Sequence, residues 1–478
     1  MTELSASLPE VRLLIDGNWV SGAAQTAVLD KYRLEACARL QLPSREQVGA
    51  AVAAAQRAFA ADGRAAYERG AVLERAALLI ERDGERFVKA LQAEAGFTLA
   101  DAQGELKRCI QTFHLSAEEA RRVVGEMVPL EGAPQQAGRL GFTMRVPLGV
   151  VCAITPFNAP LNTVAHKVAP ALAAGNAVVL KPSTHTPTPA NLMAEVLLEA
   201  GLPPGLMTVL HGGADVASWL LDEPAVRFFA FTGSTEVGRS IQQRAGLRRT
   251  QMELGSIAFT ILCDDANLDV ALPKVTAAAY RKAGQVCTSV QMLLVQRGRL
   301  AEVEERLARQ VQALPYGDPR DPATQVGPVI SLAAAERIER WIEEAVASGA
   351  RRLAGGARRN AVVPPTLLAG ITERMSVGCC EVFGPVMSIV PFDTLDEAVA
   401  RVNATPYGLA TGLFTNRLDA AFQAARRLHV GGVHINETSS SRVDLMPYGG
   451  AKDSGFGHEG PRYAMREMSE ERLITLTV

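Results

Sequence analysis

The stretch Arg281-Lys-Ala-Gly-Gln-Val-Cys287-Thr-Ser289 ends a helical run with a cysteine set near a glycine and among small polar residues. A thiol in such a place can serve as a nucleophile, because the thiolate attacks carbon and a local positive field lowers its pKa. The competing reading is a structural cysteine, since a free Cys usually behaves as a small buried hydrophobe. The chain has seven cysteines, Cys37, Cys109, Cys152, Cys263, Cys287, Cys379 and Cys380, and most are expected to be inert. What singles out Cys287 is company elsewhere in the chain.

At 478 residues the chain exceeds the length at which one core stops growing, so two or more domains are expected. A hydrophobic fraction of 48%, a charged fraction of 21% and a formal net charge of −2 describe an ordinary globular protein and give no electrostatic case for nucleic acid or membrane surfaces. Residues Met1 to Arg12 lack the basic and apolar pattern of a signal peptide, and no apolar run reaches membrane-spanning length. Scattered cysteines without CxxC spacing argue for reduced thiols and against structural zinc, so a cytoplasmic protein without a metal site is expected.

Residues 13 to 20 read as two short strands around an Asp-Gly turn, and Ser44 with Gln47 has capping-box spacing before an amphipathic helix. Helices are expected over roughly 70 to 94 and 100 to 123, and a hairpin over 126 to 146. From 148 to 254, apolar runs at Val150 to Ile154, Ala177 to Leu180, Met207 to Leu210, Val226 to Phe231 and Gln251 to Leu254 alternate with helical patterns. That alternation predicts a parallel sheet, whose ligands sit at the carboxyl ends of the strands. The loops there read Thr155-Pro-Phe-Asn158, Lys181-Pro-Ser183 and Thr232-Gly-Ser-Thr-Glu-Val-Gly238. A second α/β pattern follows, with strands near 260, 292 and 386, a helix near 333 to 347 ended by Gly349, and a solvated loop over Arg351 to Arg359. The C-terminus from Glu467 alternates as a strand that could add to another sheet.

Gly455-Phe-Gly-His-Glu-Gly460 matches the dinucleotide pattern GxGxxG, but no strand precedes it and too little chain follows for a βαβ unit. Gly233 to Gly238 is the better phosphate loop, because it follows an apolar run and opens a helix whose N–H groups suit a pyrophosphate. By pattern alone it is equally an ordinary strand-to-helix turn.

Seven stretches carry a resemblance: Thr155-Pro-Phe-Asn158, Leu180-Lys-Pro-Ser183, Phe231 to Gly238, Met252-Glu-Leu-Gly255, Gly284-Gln-Val-Cys287, Glu381-Val-Phe-Gly-Pro385 and Pro447 to Gly455. In this order and spacing they resemble the aldehyde dehydrogenase superfamily, nearest to members acting on lactaldehyde-like and phosphonoacetaldehyde-like substrates. The resemblance implies an α/β fold with a Rossmann-type parallel-sheet cofactor domain (1–125 and 147–254), an α/β catalytic domain (255–445) and a small β oligomerisation element (126–146 and 446–478). It also implies a homodimer or homotetramer.

Under the same resemblance Cys287 attacks the aldehyde carbonyl, while the Asn158 amide and the Cys287 N–H stabilise the oxyanion. Glu253 activates the water that hydrolyses the thioester, although without the resemblance the favoured reading of this residue is a solvated strand end. Its presence implies a free acid product, because members that transfer the acyl group to coenzyme A generally lack it. Lys181 and Glu381 would hold the cofactor riboses, Ser234 the pyrophosphate and Phe383 the nicotinamide end. Thr155, Pro156, Ser183, Gly233, Gly238 and Leu254 would complete those contacts. Many NAD-preferring members carry a glutamate where this chain has Thr184, so the cofactor is left as NAD or NADP. Ser256-Ile257 replaces the family's usual Gly-Lys.

Asn158, Asn162 and His166 lie at i, i+4 and i+8, which on one continuous helix would give the substrate tunnel a polar face. Arg108 and Arg442 could add positive charge, and guanidinium forks suit carboxylate, phosphonate or sulfonate groups. The expectation is a short anionic or hydroxylated aldehyde, with surface or structural arginines as the other reading. A cysteine acyltransferase or thioesterase without a nicotinamide, and a non-catalytic protein keeping the fold, stand as competing functions.

Overall fold

The computed structural model describes residues 8–477. Residues 1–7, over which part of the signal-peptide reading runs, lie outside the described residues, as does Val478.

An eight-stranded sheet runs in the order Gly455–Phe456, Arg249–Glu253, Val226–Thr232, Val150–Ile154, Ala177–Lys181, Met207–Val209, Leu13–Ile15, Asn18–Val20. Its five inner strands are parallel, matching the alternating pattern of the sequence, and antiparallel strands close both edges. These inner strands read as continuous apolar runs because helices cover both faces. The chain order reverses beside Val150–Ile154, so Thr155 to Asn158 and Thr232 to Gly238 flank the crevice where ligands of such sheets bind.

A second sheet of seven strands runs Arg351–Ala354, Thr366–Ala369, Val386–Phe392, Val290–Gln296, Ala258–Leu262, Ala410–Phe414, Gly432–Ile435, parallel except at its first edge. Ile257, next to the unusual Ser256, is buried in the apolar cluster on one face of this sheet with Phe259, Met292 and Phe392. A third sheet joins Met127–Val128 to Arg139–Pro147, and the C-terminal strand Ser469–Thr477 adds to it antiparallel along nine residue pairs. Among the described residues no helix is long and apolar enough to cross a membrane.

The structure departs from the sequence reading in four places. The helix expected over 70 to 94 is two helices, Ala66–Arg82 and Gly84–Ala95, because Asp83 caps the end of one and the start of the next. Arg351 to Ala354 is not a loop but an edge strand, with both arginines exposed and Ala354 buried. The segment 446–478 divides, with Gly455–Phe456 joining the first sheet and only Ser469–Thr477 the third. The helix expected to stack Asn158, Asn162 and His166 begins only at Asn162. Pro160 disfavours helical backbone at Ala159, so Asn158 stays in the bend before it.

Candidate active site

Cys287 sits just past an unusual turn. The helix Leu268–Tyr280 ends, and Lys282, Ala283 and Gly284 all take left-handed backbone with φ of 51°, 53° and 69°. Gly284 has little choice, since a Cβ there would stand 2.0 Å from the Gly384 carbonyl oxygen. The two non-glycine residues cost roughly 1–3 kcal/mol each in such a conformation. Lys282 is held there by a buried ion pair with Glu105 (2.6 Å), by the Phe97 ring beneath its ammonium and by the Asn158 carbonyl (3.2 Å). Glu105 also accepts the N–H of Asn162 (2.8 Å), a carboxylate at the N-terminus of the helix Asn162–Ala173. One buried acid thus fixes the cysteine turn, the Asn158 bend and the helix Leu99–Ala120 on which it sits. With its carbonyl engaged by Lys282, Asn158 keeps a side-chain amide without a partner among the described residues.

The Tyr448 hydroxyl lies 2.9 Å from the Cys287 sulfur. Glu253, at the end of its strand, is close enough that the two groups shift one another's protonation. Burial, and then the negative charge of Glu459, raise the Glu253 carboxyl to about 7. Burial and the Glu253 charge hold the Cys287 thiol well above its usual value, while Tyr448 and Arg442 pull it back. Glu253 Oε1 is buried without a hydrogen-bond partner among the described residues. A carboxylate of that kind beside a sulfur can take a proton from a water placed between them.

Behind these groups is a set of buried charges that the sequence reading did not foresee. Glu459, inside the rejected GxGxxG match, accepts Lys167 (3.0 Å) and Arg442 (2.8 Å), and the Arg442 guanidinium stacks on the Tyr448 ring at 3.8 Å. Tyr448 and Glu459 also exchange backbone hydrogen bonds. Asp444 accepts Arg108 (2.6 Å), His166 (2.8 Å) and Asn162 (3.2 Å). The structure therefore brings together all four residues expected to face the substrate. Asn162 and His166 do so as buried members of the Asp444 cluster rather than as an open tunnel wall.

Arg281, in the cysteine motif, has a place that the sequence alone does not reveal. It is half-buried, its one side-chain hydrogen bond among the described residues goes to Ser440 Oγ (2.7 Å), and it is near enough to Arg108 to feel its repulsion. Arg442 Nε is likewise buried without a partner. A signal for Arg281 existed in its place six residues before Cys287, but only the folded chain tells that it lacks a carboxylate.

The expected cofactor residues line the crevice of the first sheet and its junction with the second. Lys181 ends its strand buried, without an ion-pair partner among the described residues, and burial lowers its ammonium to about 8. Thr155 donates its backbone N–H to the Lys181 carbonyl, and its own hydroxyl is buried and unpartnered. Pro156 and Ser183 continue the two loops, with Thr184 half-buried and the Ser183 hydroxyl accepting the His185 N–H. Ser234 caps the helix Thr235–Ala245, and the Gly233 N–H donates to the Glu253 carbonyl. A Cβ on Gly238 would meet Leu254 at 2.3 Å, so this glycine lets the helix pack against the strand that carries Glu253.

Glu381 accepts the Ser256 N–H with one oxygen, and burial raises its carboxyl to about 8. Phe383, at φ 49°, packs edge-on against Phe157 at 5.7 Å between ring centres. Glu381, Phe383 and Cys287 border one small cavity. An unpaired buried lysine, a helix N-terminus and a half-committed carboxyl around one crevice fit a dinucleotide: hydroxyl donors and acceptors for riboses, N–H groups for a pyrophosphate. Gly455 to Gly460 has no such role, because its first two residues pair antiparallel with Met252 and Glu253 at the sheet edge.

Comparison with known proteins agrees with this geometry. The aldehyde dehydrogenase family model matches residues 19–474. The 3-sulfolactaldehyde dehydrogenase of Priestia aryabhattai is 44% identical over 479 residues, covering 100% of both chains. The lactaldehyde dehydrogenase of Methanocaldococcus jannaschii is 35% identical, over 97% of this chain and 100% of its own. Aldehyde dehydrogenase 21 of Physcomitrella patens, solved in complex with the reaction product succinate, superposes with a TM-score of 0.96 at 36% identity, over 98% of this chain and 99% of that one. The chain belongs to the aldehyde dehydrogenase family and is an NAD(P)-dependent aldehyde dehydrogenase.

Proposed function

We propose that this enzyme oxidises a short aldehyde carrying an anionic group at its far end to the free carboxylic acid. The observation that carries this reading is Arg281, a half-buried guanidinium with a hydroxyl but no carboxylate for a partner. A guanidinium partly withdrawn from water and short of a carboxylate is a ready partner for a bound sulfonate, carboxylate or phosphonate. Arg442 Nε offers a second free donor, and Arg108 adds charge at the edge of the Asp444 cluster. The succinate bound by the Physcomitrella enzyme and the sulfonate of the Priestia enzyme's substrate are groups of this kind.

The chemistry assigned to the chain's own groups is as follows. Cys287 attacks the carbonyl carbon as the thiolate, with Tyr448 donating to the sulfur and Arg442 holding the Tyr448 ring. The Asn158 amide and the Cys287 N–H receive the oxyanion. NAD or NADP supplies the hydride acceptor when bound, with Lys181 and Glu381 at the riboses, Ser234 at the pyrophosphate and Phe383 beside the nicotinamide; Thr155, Pro156, Ser183, Gly233, Gly238 and Leu254 shape the cradle. Thr184 leaves room for a 2′-phosphate, which makes NADP acceptable beside NAD. Glu253, as carboxylate, then takes the proton of the water that hydrolyses the Cys287 thioester. The seven free cysteines suit a reducing cytoplasm, and the third sheet suits a dimer or tetramer contact.

The test is reduced-nicotinamide absorbance with NAD and NADP in parallel, over 3-sulfolactaldehyde, succinic semialdehyde, phosphonoacetaldehyde, lactaldehyde and hexanal. The expected order places the anionic aldehydes first by kcat/KM. A preference for hexanal would overturn the substrate reading.

A further inference from the structure

Cys379 and Cys380 are neighbours at the end of the one-turn helix Ser376–Cys379, with sulfurs 3.7 Å apart. Cys379 is exposed and borders a surface cavity beside Thr372, Arg374 and Arg401, while Cys380 is half-buried. Among the described residues, each thiol's only hydrogen-bonding contact is the other. None of the groups assigned to catalysis uses them.

Their consequence lies one residue further on. The Gln291 side chain donates to the Cys380 carbonyl (2.8 Å) and accepts the Val382 N–H (2.9 Å), clamping the backbone on both sides of Glu381. Glu381 in turn accepts the Ser256 N–H, and Phe383 keeps its left-handed backbone against Phe157. A disulfide needs its sulfurs about 2.05 Å apart. Two side chains on one peptide unit reach that distance only if the unit turns. Its N–H, on Cys380, is bonded to the Ser376 carbonyl (3.0 Å), and turning it breaks that bond and swings the Cys380 Cα, from which the carbonyl held by Gln291 extends.

We propose that Cys379 and Cys380 form a dithiol site modified by peroxides, closing to an intrachain disulfide that displaces Glu381 and Phe383 and weakens cofactor binding. This rests on the reading of Glu381 and Phe383 as cofactor residues. One thiolate attacks a peroxide oxygen, the O–O bond breaks, hydroxide leaves and a sulfenic acid forms. The second sulfur then attacks the first, gives up its proton and expels water. In sum, two thiols and one hydrogen peroxide give one disulfide and two waters, with two electrons passing from sulfur to oxygen. Burial and the adjacent thiol hold Cys379 above its usual range, so closure quickens as pH rises. A ring closed against the Gln291 clamp is strained and readily reduced, which makes the modification reversible.

The experiment uses the full chain in a Cys287→Ala background, so that the thiol at the reaction centre cannot contribute. NAD and NADP are titrated by fluorescence before peroxide, after it, and after reduction, with peptide masses taken at each stage. The expected result is loss of two hydrogens from the peptide holding both cysteines and roughly three- to ten-fold weaker cofactor binding, about one displaced hydrogen bond, restored by reductant. Adding Cys379→Ser removes both effects. An unchanged mass, an unchanged affinity after the mass change, or equal weakening with Cys379→Ser overturns the proposal. If the untreated protein binds neither cofactor, the reading of Glu381 and Phe383 falls and the proposal with it.

Discussion

The Tyr448 hydroxyl stands 2.9 Å from the Cys287 sulfur, on a ring whose face carries the Arg442 guanidinium at 3.8 Å. Burial keeps the phenol protonated far beyond neutral pH, so it is a donor whenever the sulfur is a thiolate. The contact works against the burial and the Glu253 charge that raise the thiol.

Tyr448→Phe keeps the ring and removes that donor. A hydrogen bond to a charged group contributes about 1.5–3 kcal/mol, so the Cys287 titration should move up by roughly one to two pH units. Iodoacetamide alkylation rates against pH measure this directly. An unmoved profile would mean that Tyr448 only packs.

Glu253 should set the acid limb of turnover. With its carboxyl at about 7, the carboxylate fraction, and the rate of thioester hydrolysis with it, rises as pH passes through neutrality. Glu253→Gln should still release about one equivalent of reduced nicotinamide per site in a burst, with steady turnover lower by roughly 100- to 10,000-fold. Rapid-mixing absorbance separates the two phases; loss of the burst as well would place Glu253 in the first step.

These groups differ in how legible they were in the sequence, and the difference is one of range. Cys287, Glu253 and Asn158 each end or follow a local pattern, an apolar strand or a helical run, so their neighbourhood could be read from adjacent residues. The five parallel strands were legible for the same reason, since residues covered by helices on both faces leave unbroken apolar runs. Asp444 and Glu459 are different. Their partners Arg108, His166 and Lys167 lie hundreds of positions away in sequence, and a lone acid in a loop has no periodicity to mark it. The i, i+4 spacing from Asn158 does not make a helix because Pro160 disfavours helical backbone at Ala159.

Asp444 is predicted to be structural first. Burial alone would raise its carboxyl, but hydrogen bonds from His166 and Arg108 outweigh burial and hold it below the ordinary carboxylate range. A carboxyl lowered by folding contributes stability above its unfolded value of about 3.9, and that contribution is lost as pH falls toward the folded value. Asp444→Asn strips three donors of their charged partner and should lower unfolding stability by about 3 kcal/mol or more. Urea midpoints at pH 7 and at a pH about one unit below the unfolded value check both claims: the deficit of the variant should shrink at the lower pH.

Selectivity should follow Arg281 more closely than Arg108 or Arg442. Arg108 faces Asp444 and one Nη of Arg442 faces Glu459, so removing either leaves a buried carboxylate short of a partner and mixes stability with binding. Arg281 has only the Ser440 hydroxyl, so Arg281→Met leaves no buried carboxylate short of a partner. Its unfolding midpoint should hold or rise. KM for 3-sulfolactaldehyde and succinic semialdehyde should increase roughly 10- to 100-fold, the worth of a charge-assisted hydrogen bond, with kcat little changed. Lactaldehyde has no anionic end to lose a contact, so its KM should stay within about two-fold. Equal losses on charged and uncharged aldehydes would show that Arg281 only supports the cysteine turn, and the anion would then have to be sought at Arg442 Nε.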